Sequence, residues 1–116
     1  MTDIQSTVAD FQEEVFKTIQ NDYEGEIDEE TFASAVDDFH HQELDEIIAY
    51  MNYEDVLDII EEYGGFQHAL QNYIDTFGAV KDAPSVQAIA YNIINDEARD
   101  RNCFTMKAYK EWCESQ

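Results

Sequence analysis

The chain has 116 residues, is 44% apolar, and carries 27 acids against six Lys and Arg for a net charge of −21. That length fits one domain with enough apolar material for a core and no surplus for a second. A nucleic-acid binder needs a basic footprint to displace phosphate counterions, so direct binding to DNA or RNA is disfavoured and basic partners are expected.

The charge is unevenly placed. Residues 1–80 hold 21 acids against Lys17 alone, giving −20, whereas residues 81–116 hold six acids against five bases, giving −1. The start, MTDIQSTVADF, has no cationic segment, and the longest apolar runs, such as Ile47–Met51, are about five residues. Neither a secretory signal nor a membrane span is therefore expected, and the reading is a cytoplasmic protein. Cys103 and Cys113 lack the spacing of a zinc site or disulfide framework and read as free thiols.

Thr2 and Gln5 have the spacing of a capping box, and Ile4, Val8, Phe11, Val15 and Ile19 then step along one face, predicting a helix over 3–20. After a link containing Gly25, Asp28 is a suitable N-cap for a second helix to about His40, with Glu29 and Glu30 in its favourable first turn. A short third helix is predicted over Glu43–Met51, and Asn52 caps a fourth that Tyr63-Gly64-Gly65 closes.

Phe66, Leu70, Tyr73 and Phe77 outline a fifth helix ended by Gly78. Pro84 is placed as the first residue of the sixth, whose Val86, Ile89, Ala90, Ile93 and Ile94 make a broad apolar face suited to a central helix. Thr105 caps a last helix with Met106, Tyr109 and Trp112 on one side, Phe104 stapled before it, and Lys107 and Lys110 outside. No alternation of period two occurs. The prediction is an all-α, single-domain bundle of six or seven helices with an acidic face.

Residues 22–62 dominate the chain. They hold sixteen carboxylates, Asp22, Glu24, Glu26, Asp28, Glu29, Glu30, Asp37, Asp38, Glu43, Asp45, Glu46, Glu54, Asp55, Asp58, Glu61 and Glu62, and no Lys or Arg. An ordinary solvated face mixes signs; here Glu54, Asp58 and Glu62 share one i, i+4 row, and each like-charge pair costs about 0.2–0.5 kcal/mol. Stability alone would not select this pattern. Tyr23, Tyr50, Tyr53, Tyr63 and Tyr73 interleave with the acids; most read as core-edge aromatics, and amphipathic rings beside carboxylates also suit a protein surface whose partner offers Arg.

Gln20 to Thr31, QNDYEGEIDEET, resembles an EF-hand loop, with Gly25 sixth, Ile27 eighth, and Asp22, Glu24 and Asp28 at ligand places three, five and nine. Gln20 and Thr31 occupy the first and twelfth places, where carboxylates belong, so a helix–turn–helix without calcium is the preferred reading. His40, His41 and His68 lack further ligands at metal spacing, although His41 and Asp45 share a helical face. No GxSxG, P-loop, GxGxxG or HExxH is present. The expectation is a non-enzyme without cofactor.

The acidic first helix, then DEETFASAVDDFHHQELDEIIAYM, then PSVQAIAYNII, resemble in size and order the Ocr-type phage antirestriction proteins over residues 8–98. That resemblance implies a small helical homodimer that mimics DNA and blocks a host restriction or defence enzyme in the bacterial cytoplasm, here through the sixteen acids. The C-terminus differs from that family in carrying Lys107, Lys110 and Trp112 rather than further acids. Since anionic faces repel, self-association is expected at Phe104, Met106, Tyr109 and Trp112. The alternative is an acidic inhibitor that occupies a basic partner away from its DNA site, and a calcium-binding helical protein is third.

Overall fold

The computed structural model describes residues 3–23, 27–78, 82 and 84–116. Six helices appear among them and no strand: α1 (Ile4–Asp22), α2 (Glu29–Tyr50), α3 (Tyr53–Glu62), α4 (Phe66–Phe77), α5 (Val86–Asp100) and α6 (Met106–Glu114). The protein is all-α.

Local chemistry sets most helix ends. Asp28, Asn52 and Thr105 accept from the backbone N–H groups of Thr31, Asp55 and Ala108, satisfying donors that the first helical turn leaves open. Two predicted starts are corrected. Asp3 rather than Thr2 caps α1, accepting from the Ser6 N–H at 2.6 Å while the Ser6 hydroxyl accepts from the Asp3 N–H; a carboxylate one residue further on takes the cap. Pro84 is not the first residue of α5, which begins at Val86; Ser85 is its N-cap because the Ser85 hydroxyl accepts the Ala88 N–H. Between α3 and α4, Gly64 and Gly65 hold φ of +123° and +96°, values that disfavour any side chain, and the Gly65 N–H closes onto the Ile60 carbonyl.

A further correction concerns α2, which is one helix where a break was predicted between His40 and Glu43. At about 100° per residue, the inward positions Phe32, Ala35, Val36 and Phe39 and the later set Leu44, Ile47, Ile48 and Met51 centre about a third of a turn apart. The first set faces α1 and α6, with Phe32 against Phe16 and Tyr109; the helix continues while its core face rotates. Two polar residues bridge the change: the His40 ring Nδ1 bonds the Val36 carbonyl, and Glu43 accepts the Thr18 hydroxyl at 2.8 Å.

Helix α5 packs against α1, α2, α3 and α4, the central position its broad apolar face predicts, with Ile89, Ile93 and Ile94 fully buried. Phe11 and Phe16 of α1 meet Phe104, Tyr109 and Trp112 at ring separations of 5.0–6.2 Å, in a cluster that fastens the C-terminus to the body.

Candidate functional site

The sixteen acids divide by what holds them. Asp28 is an N-cap whose carboxyl is held below its ordinary value by the Thr31 backbone N–H and then the Thr31 hydroxyl. Glu43 tethers α2 to α1 through Thr18, and Glu62 tethers α3 to α1 by accepting the Ile4 N–H at 3.1 Å. Asp55 and Asp58 are half-buried. Asp22, Glu29, Glu30, Asp37, Asp38, Asp45, Glu46, Glu54 and Glu61 are exposed, while Glu24 and Glu26 lie outside the described residues.

On α2 the exposed acids form two series, Glu29, Asp37, Asp45 and Glu30, Asp38, Glu46, each stepping eight residues. Eight residues advance about 12 Å and rotate about 80°, so the carboxylates wind with the helix and stay on the side away from its rotating core face. On α3, Val56, Ile59 and Ile60 are buried, which turns the exposed Glu54 and Glu61 outward as a crest that includes the half-buried Asp58, with Tyr53 and Leu57 along one flank.

The ion pairs among the described residues are Lys17 with Glu13 and Glu14, Arg99 with Asp96, and Arg101 with Glu97. None reaches residues 22–62. Among the described residues, the exposed carboxylates of this segment therefore make no ion pair.

The remaining candidates fall differently. Gln20 and Asp22, the first and third places of the EF-hand-like loop, belong to α1, so the helix occupies part of what would be the ligand loop. Among the described residues no group of three or more His, Cys, Asp and Glu is arranged to hold a metal ion. The residues expected to offer a self-association surface turn inward: Tyr109 is 5% exposed, and Phe104, Met106 and Trp112 are half-buried against the core. The physical reason is that α1 presents Phe16 to Phe104, Tyr109 and Trp112, whose rings pack on it within the protomer. Both cysteines are free thiols, and burial pushes that of Cys103 up.

A feature the sequence did not single out is a groove of about 530 Å³ between α2, α4 and α5, lined by His41, Asp45, Ile48, Ala49, Tyr73, Phe77, Gln87, Ala88 and Tyr91. The Tyr91 hydroxyl is hydrogen-bonded to the His41 Nδ1 across the α2–α5 contact. Burial, and then the Asp45 carboxylate, push the Tyr91 phenol up to about 12. Sequence spacing put His41 and Asp45 together; Tyr91 was hidden because its partner lies 50 residues away.

No family model, curated protein or solved structure matches the chain. No helix among the described residues is long and apolar enough to cross a membrane.

Proposed function

We propose that this protein is a DNA mimic that occupies the basic DNA-binding groove of a DNA-acting enzyme and inhibits it. The observation that carries the reading is the unpaired anionic surface of α2 and α3: exposed carboxylates in fixed helical positions, with no cation bonded to any of them among the described residues. Helix α3 holds five acids in ten residues, about one per 3 Å of axis, against one phosphate per about 1.7 Å of duplex axis. The winding series on α2 adds six more exposed acids to this array. A folded helix holds such charges without further ordering on binding, which favours affinity.

The sequence resemblance to antirestriction proteins makes a bacterial restriction or defence nuclease the proposed partner, a phage origin and the host cytoplasm the proposed setting, and inhibition rather than catalysis the proposed role. Homodimerisation enters the same proposal, without assigning it to the inward-turned α6 residues.

A DNA-cleavage assay tests this directly. The nuclease is titrated with wild type and with a Glu54→Gln/Asp58→Gln/Glu61→Gln variant that keeps Glu62 as the tether to α1. Inhibition that excess duplex DNA relieves, and that the variant loses, supports mimicry; inhibition unchanged in the variant refutes it. A second reading, inhibition at a site other than the DNA groove, draws on exposed apolar groups beside the crest, with Tyr50 89% and Tyr53 59% exposed. Inhibition that excess DNA does not relieve would favour it.

A further inference from the structure

We propose that the groove between α2, α4 and α5 is a docking site for an arginine side chain of the basic partner. This rests on the reading of the protein as the ligand of a basic surface and specifies which cation is preferred, and where.

Three features select that occupant. The walls are mainly aromatic and aliphatic, Tyr73, Phe77 and Tyr91 with Ile48 and Ala49, alongside His41, whose Nδ1 is engaged by Tyr91, and Gln87; Phe77 stands 60% exposed with its ring 4.7 Å from that of Tyr73. An apolar stem and a flat guanidinium both fit such walls, the latter by stacking on ring faces, whereas an ammonium is a compact, strongly hydrated point charge that gains less there. Asp45 supplies the carboxylate that a guanidinium bonds in its fork geometry, and no Lys or Arg is among the described residues that line the groove.

The groove also continues the anionic stripe. Asp38 and Asp45 are seven residues apart, two helical turns, and fall within about 20° of one another around α2. A cation drawn along the stripe by the net charge of −21 thus arrives at the groove mouth, where apolar contact is added to attraction. A purely apolar occupant would leave Asp45 unanswered. A second copy of this chain meeting the groove through the same face would bring another α2, with its six exposed acids and no Lys or Arg, against the first.

The test is calorimetric titration of the intact protein with hexa-arginine and hexa-lysine peptides at about 0.15 M salt, where distant charges are screened. Wild type is expected to bind the arginine peptide about tenfold more tightly than the lysine peptide. Phe77→Ala removes an exposed ring without opening the core, and Asp45→Asn removes the carboxylate; each should bring the ratio near one, with Phe77→Ala leaving lysine binding unchanged. Equal affinities in wild type, or a ratio that survives Phe77→Ala, overturn the docking site. The Glu54→Gln/Asp58→Gln/Glu61→Gln variant serves the other reading: it should weaken both peptides and keep their ratio. If it binds both as wild type does while the ratio still depends on Phe77, the α3 crest is not the partner surface and the groove stands alone.

Discussion

The Glu62 carboxylate accepts the Ile4 backbone N–H at 3.1 Å, so the last residue of α3 satisfies a donor in the first turn of α1, 58 residues earlier. The negative charge that opposes its own helix dipole complements the positive end of another. Within an otherwise repulsive row, Glu62 therefore does the opposite of Glu54 and Asp58, since its charge joins two helices.

Glu62→Ala should consequently cost about 1 kcal/mol, the scale of a lost helix-terminal contact, while Glu54→Gln should be neutral or slightly stabilising. Urea unfolding of the two variants checks this. Equal midpoints would show that the tether contributes nothing.

Asn92 offers a prediction of the other sign. It is 3% exposed on the central helix, and its side-chain amide nitrogen has no hydrogen-bond partner among the described residues. A buried amide donor without a partner costs about 1–3 kcal/mol, so Asn92→Leu, similar in volume and free of polar atoms, should raise the unfolding midpoint. A variant less stable than wild type would indicate that the amide is satisfied in solution.

The tyrosines define an alkaline limit. Burial pushes both Tyr91 and Tyr109 up to about 12, with Asp45 adding to the first and Cys113 to the second. In the unfolded chain both would ionise near 10, so above that value the folded state binds more protons and stability falls as pH rises; the contribution is complete below about 10 and is lost between about 10 and 12. Burial, and then the carboxylates of Asp96, Glu97 and Asp100, also push Tyr63 up, so tyrosinate absorbance should show three of the seven tyrosines ionising late, and Tyr91→Phe and Tyr109→Phe should each remove one of the latest. At the acid end, the caps Asp3 and Asp28, both held low by backbone N–H donors, contribute stability above the ordinary carboxylate value that is lost as pH falls through their folded values.

Periodicity made most of this fold legible. Ile4, Val8, Phe11, Val15 and Ile19 all lie in the core of α1, and Ile89, Ala90, Ile93 and Ile94 in that of α5, because a 3.6-residue period reports one buried face wherever that face stays constant. The same logic failed at α2, where the face rotates and His40 and Glu43 look like a break until Val36 and Thr18 are seen to satisfy them. Composition exposed the anionic segment, but could not separate Glu43 and Glu62, which fasten helices, from Glu54 and Glu61, which face solvent. That distinction depends on Thr18 and Ile4, and neither is near in sequence. Nor could it distinguish the aromatics of α6, turned inward onto Phe16, from Tyr50 and Phe77, which remain outside.

The uncompensated charge itself should be measurable without any partner. The acids of α2 and α3 are fixed in like-charged rows, and a net charge of −21 on 116 residues disfavours the compact state through self-repulsion. Added salt shortens the Debye length from about 30 Å at 0.01 M to about 8 Å at 0.15 M, which screens that repulsion. Thermal unfolding should therefore shift upward with sodium chloride, most steeply at low concentration. In the Glu54→Gln/Asp58→Gln/Glu61→Gln variant, three charges fewer should raise the midpoint in low salt and flatten its salt dependence, while the far-ultraviolet helical spectrum is preserved. On the proposed function the same substitutions abolish inhibition of the target nuclease, so stability and inhibition should move in opposite directions. If the variant is less stable than wild type in low salt, these carboxylates hold the fold together; their exposure would then serve structure, and the case for selection as a phosphate-like array would fall.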